Sequence, residues 1–135
     1  MTPDRPKTAA RDVDILLVED DAALVRLIVR ALHARGLTTD VVGDSTEATR
    51  LLSRSDYKVV VVDLVPAAAA GFEVIDFIKS SGATMTHVVA ITACGPSALD
   101  RIDRSVAKTL FFKPLNIEHF SSYVQMLAGA PQTPP

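Results

Sequence analysis

The chain has 135 residues, 14 Lys and Arg against 16 Asp and Glu, a formal charge of −2, and a hydrophobic content of 48%. That length suits one domain able to bury a core without disulfides or structural metals. The near balance of charge leaves no basic field for a nucleic-acid backbone, so nucleic-acid binding is not expected. A single cysteine, Cys94, excludes an internal disulfide and any multi-cysteine zinc site.

Residues 1–12 are polar and contain Pro, with no apolar core of a secretory signal. They read as a tail, and GAPQTPP reads as another at residues 129–135, leaving a domain at 13–128. No apolar run approaches the ~18 residues of a membrane span. A soluble, cytoplasmic protein is the expectation.

ILLV (15–18) is a short apolar run that leads straight into Glu19, Asp20 and Asp21. Like charges that close cost free energy unless a cation or a task compensates them. Leu24, Leu27, Ile28 and Leu32 then repeat at helical spacing before Gly36, and TTDVV (38–42) reads as a weaker strand. Ala48, Leu51 and Leu52 mark a second helix. VVVV (59–62) is a strand with Asp63 after it, and Val74, Ile75 and Ile78 mark a third helix before Gly82. HVVAIT (87–92) is a strand that ends at Thr92. Leu99, Ile102 and Val106 predict a fourth helix, TLFF (109–112) a fifth strand followed by Lys113, and Ile117, Phe120, Val124 and Leu127 a fifth helix.

Continuous rather than alternating apolar runs are what strands covered on both faces look like. Five alternations of strand and helix predict an α/β fold, a doubly wound parallel sheet with right-handed crossovers. Ligands in such folds bind outside the carboxyl ends of the strands, where the order reverses. Glu19 and Asp20, Asp63, Thr92 and Lys113 all fall at such ends. Taken singly, each has an ordinary explanation. Asp20 or Asp21 can cap the first helix, Asp63 can be a turn residue before Pro66, Thr92 a β-branched strand residue and Lys113 a solvated charge. All of them falling on one rim argues for a site, and Asp21 is assigned to the cap.

The stretches ILLVEDD, VVVVDL, AGFEVI, VVAITA and FFKPL, in this order, resemble the receiver domain of bacterial two-component response regulators over residues 13–128. The resemblance implies a flavodoxin-like five-stranded sheet of order 2-1-3-4-5. It implies Asp63 as phosphoacceptor, a carboxylate nucleophile. Mg2+ would be held by Glu19, Asp20, Asp63 and the carbonyl of Val65, since that ion favours oxygen donors and keeps several waters. Thr92 and Lys113 would meet the phosphoryl oxygens, and Lys113-Pro114 would be a cis bond. It further implies a stand-alone receiver that is not an enzyme, catalysing only its own phosphorylation and dephosphorylation. Its donor would be a sensor histidine kinase or phosphotransfer protein docking on the first helix. An unidentified downstream protein would meet the fourth helix, fifth strand and fifth helix, and the chain would be a monomer or weak homodimer.

The chain departs from that pattern at two places. DLVPAAAAG puts Pro66 three residues after Asp63 rather than four, although Gly71 keeps its eight-residue offset. Leu110 stands three residues before Lys113, where receivers usually carry Tyr or Phe. Phosphorylation with a weakened or rerouted response is expected, and a receiver acting as a phosphorylation-independent adaptor is the alternative. An aspartate-dependent phosphohydrolase would want an acid at Val65, and a flavin site would want a phosphate-cradling loop where the three acids lie. His33, His87 and His119 show no ligand spacing, and Cys94 reads as a small buried hydrophobe rather than a redox sensor.

Overall fold

The valine-rich runs form the centre of the molecule because a strand with no polar side chain is stable only when both faces are covered. The structure is a computed structural model that describes residues 13–64, 70–82, 86–93 and 100–129. It contains β1 (Ile15–Val18), α1 (Ala22–His33), β2 (Thr39–Val42), α2 (Ser45–Leu52), β3 (Val59–Leu64) and α3 (Ala70–Ser81). These are followed by β4 (His87–Thr92), β5 (Ala107–Phe112) and α4 (Ile117–Leu127). All strand pairs are parallel, in the order β2-β1-β3-β4-β5, as expected.

Side chains alternate across the sheet and split the core in two. Leu16, Val60, Val62 and Ala90 face α2 and α3, meeting Ala48, Val74 and Ile78. Ile15, Leu17, Val59, Val61 and Val89 face α1 and α4, meeting Ile28, Leu32, Phe120 and Val124. Each fully buried Val or Leu contributes about 1.5–3 kcal/mol relative to exposure, so the β3 valines alone anchor the middle strand. On the second face Phe111 stands edge-on to Phe120 at 5.1 Å and to Tyr123 at 5.7 Å. There Arg35, just beyond α1, donates to Ser121, Gln125 and Glu118 of α4.

Three expectations need correction. The third strand does not stop at Val62 but runs through Asp63 to Leu64, so Asp63 lies inside it. The fifth strand begins at Ala107, two residues before TLFF, and polar Lys108 hid that start. Residues 100–106 form turns where Ile102 and Val106 suggested helix, and the earlier part of the expected fourth helix, Leu99 included, lies outside the described residues. Asp103 accepts hydrogen bonds from the N–H and hydroxyl of Ser105, and short polar side chains of this kind compete with helical pairing. Ile102 is still buried and Val106 half-buried against the core, which explains why the apolar spacing looked helical.

Gly71 sets how closely α3 approaches β3. A Cβ there would stand 2.7 Å from the Asp63 carbonyl oxygen and 2.7 Å from Leu64 Cδ2. Because one of these two clashes is with backbone, Gly71→Ala is expected to cost about 1–3 kcal/mol, read as a lower denaturation midpoint with an unchanged slope.

Candidate functional site

Parallel register decides which residues share a rim. Val18 pairs with Val62, Asp63 with Ile91, Leu64 with Thr92, and Thr92 with Phe112. Glu19 follows β1 at the level of Asp63, and its N–H donates to the Val42 carbonyl at 2.9 Å. Lys113 follows β5, and its N–H donates to the Thr92 carbonyl at 2.9 Å. Glu19, Asp63, Thr92 and Lys113 therefore meet at the carboxyl end of the sheet, where the reading of the strand ends placed them.

The Lys113 ammonium crosses β4 and donates to Asp63 Oδ2 at 2.8 Å. The other oxygen, Asp63 Oδ1, is buried without a hydrogen-bond partner among the described residues. Glu19 is 5% exposed. Its Oε2 accepts the Asp21 N–H at 3.0 Å, while Oε1 is likewise buried and unpartnered among the described residues. Both orphaned oxygens belong to residues lining one cleft of about 60 Å³, closed by Val18, Gly43, Ala70 and Gly71.

Two buried carboxylates beside one ammonium leave negative charge uncompensated. Burial, and then the neighbouring Asp63 carboxylate, push the Glu19 carboxyl up to about 7. Partial burial pulls the Lys113 ammonium down, but the hydrogen bond and charge of Asp63, with Glu19 and Asp21 behind it, outweigh that and raise it.

Asp20 lines the same cleft and is exposed at its lip. Asp21 caps α1, accepting from the N–H groups of Ala23 at 2.9 Å and Leu24 at 3.2 Å. Val65, Pro66 and Cys94 lie outside the described residues. Among the described residues no three His, Cys, Asp or Glu side chains form a ready cage for a metal ion. The two orphaned carboxylate oxygens, with Asp20 at the lip and room for water, nevertheless fit a small hard cation that keeps much of its hydration. Sequence reading had not singled out Gly43 as a wall of the cleft, and a glycine just beyond β2 was the only signal.

Residues 15–125 match the response regulator receiver domain family. The chain belongs to that family. TcrA, a transcriptional regulatory protein of Mycobacterium tuberculosis, is 31% identical to this receiver over 93% of the chain and 50% of its own length. The chain thus spans about half the length of that curated relative. Among solved structures, the signal receiver domain of a Syntrophus aciditrophicus histidine kinase has a TM-score of 0.76 and 24% identity, covering 91% of this chain and 96% of that one. The receiver domain of a Pseudomonas aeruginosa sensor histidine kinase has a TM-score of 0.73 and 22% identity over 87% of this chain and 98% of that one, and is described with magnesium coordinated in its active-site cleft.

Two further features of this receiver bear on the site. The Lys113-Pro114 bond is cis. Leu110 pairs with Ala90 and packs half-buried against the core under α3, filling the space where an aromatic was the family expectation.

The Glu19 shift has a defined sign in stability. A carboxyl whose folded pKa lies above its unfolded value costs stability once ionised, so the cost is absent below about pH 4.5 and complete above about pH 7. In chelator-treated protein, Glu19→Gln should melt at the same temperature as the parent near the acid end of that window. Above the window it should melt higher. Parallel pH profiles of the two proteins would refute this reading.

Proposed function

We propose that this receiver accepts a phosphoryl group on Asp63 from a histidine kinase or a phosphotransfer protein, with Mg2+ as cofactor, and signals by binding another protein. The observation that carries the reading is the asymmetry of the Asp63 carboxylate, with Oδ2 held by Lys113 and Oδ1 unpartnered in a residue that lines the open cleft. A carboxylate oxygen of Asp63 is the nucleophile. It forms the O–P bond as the donor's N–P bond breaks, and the electron pair of that bond stays on the donor imidazole.

Lys113 fixes the rotation of the carboxylate before transfer and neutralises phosphoryl charge after it. Thr92, buried at the end of β4, supplies a hydroxyl at the same rim. Glu19, Asp20 and Asp63 would hold the divalent ion, which supplies further neutralisation of the transferring oxygens. The metal described in the Pseudomonas relative supports this assignment. The roles stop at self-phosphorylation and loss of that phosphate, so the chain is read as a switch and not as an enzyme with an external product. The partners are proteins, and α1 is the face proposed for the donor.

The half-buried Leu110 favours a second reading, an adaptor whose contacts do not depend on phosphate. One experiment separates the two. The protein is incubated with Mg2+ and a small acyl phosphate and then weighed intact. A single phosphoryl adduct, absent from Asp63→Asn, is the expected result, and Lys113→Ala should slow its formation by about 10²-fold. An unmodified parent protein at long times would favour the adaptor.

A further inference from the structure

The amino end of the sheet, away from Asp63, carries a cavity of about 380 Å³ whose lining includes Lys79, His87, Lys108, Thr109 and Tyr123. Along β4, His87 lies five residues from the rim that ends in Thr92, about 17 Å at strand rise. We propose that this cavity is a second ligand site, for a small organic anion with a planar or apolar body bearing a phosphate or carboxylate.

The β5 backbone is irregular at this cavity. Val88 pairs with Ala107 but Val89 with Thr109, so Lys108 is an extra residue in β5, a bulge. Regular alternation sends neighbouring side chains to opposite faces. Here Lys108 and Thr109, consecutive in sequence, both line the cavity. A bulge costs ladder pairing, and such irregularities commonly re-aim a side chain beside a site.

The donors are unevenly satisfied. Lys79 is balanced, because its ammonium stands 2.7 Å from Asp103 Oδ2 and Asp103 is itself held by Ser105. Among the described residues, the Lys108 ammonium and the His87 imidazole have no hydrogen-bond or ion-pair partner. The Thr109 and Tyr123 hydroxyls stand 2.9 Å apart, and a pair that shares one hydrogen bond retains one O–H free to donate. Ile78, Val88 and Leu127 supply an apolar wall. Unused donors around an apolar wall, in a volume of the size that small molecules fill, describe recognition of an organic anion. Inorganic phosphate alone would leave the wall unfilled.

The test uses the full chain, isotope-labelled, titrated in an NMR amide spectrum with adenosine monophosphate, benzoate and inorganic phosphate in separate arms. The expected result is saturable shifts at residues 78–82, 86–88 and 105–109 with one of the two organic anions, and which of them binds identifies the charged group. Lys108→Ala should weaken that binding about tenfold, and Tyr123→Phe more mildly, with the remaining amide spectrum unchanged. The proposal is overturned if neither organic anion saturates, if inorganic phosphate binds as tightly, if Lys108→Ala leaves the affinity unaltered, or if the shifts centre on Asp63. Because Asp63→Asn is expected to leave this binding intact, failure here is distinguishable from failure of the phosphoacceptor reading.

Discussion

A lysine just past β5 and an aspartate on β3 meet over the end of the strand between them, and the rim is organised around that contact. The side chain of Asp63 is 6% exposed. A buried carboxylate with no partner costs several kcal/mol. Lys113 offsets that cost at one oxygen only. Glu19 adds a second buried acid, so the charges at the rim do not balance within the protein. Glu19 carries the strain as an elevated pKa, and the orphaned oxygens are where the proposed cation would relieve it. An imbalance of this kind prepares a site for an ion and an incoming anion together. A fully compensated cluster would have no reason to bind either.

Holding such a cluster requires a frame that does not relax. Five parallel strands with apolar residues on both faces provide it, because slipping one strand by one residue would turn its side chains to the wrong face. Gly71 presses α3 onto the carbonyl of Asp63, and Arg35 ties α1 to α4 through three side chains. The first contact steadies Asp63. The second joins the helix proposed for the donor to the last helix of the fold.

β5 links the two ends of the molecule. Its amino end bulges at Lys108 into the cavity, its middle presents Leu110 to the core, and Lys113 follows its carboxyl end against Asp63. A strand with side chains in both places is a physical route by which occupancy at one end can bias the other, provided the strand has two arrangements. Leu110 bears on that condition, since it fills the core without the polar tip or flat ring that an aromatic would swing between states.

The apolar runs at residues 15–18, 59–62 and 87–92 were sufficient to read a parallel sheet from the chain, because only doubly covered strands tolerate four or more apolar residues in succession. The acids after the first run, Asp63, Thr92 and Lys113 followed from the same logic, since strand ends on one side of a parallel sheet must share a rim. Element limits were less legible. Lys108 concealed the start of β5, and residues 100–106 form turns where Ile102 and Val106 suggested helix, because apolar spacing records burial and not backbone hydrogen bonding. Only the tertiary structure decided which Asp63 oxygen is held and which is left open, how far Glu19 is pushed, why Gly71 has no side chain, and that a cavity lies at the far end of β4 and β5. Those facts depend on distances between residues remote in the chain, and a one-dimensional pattern of polarity carries no such distances.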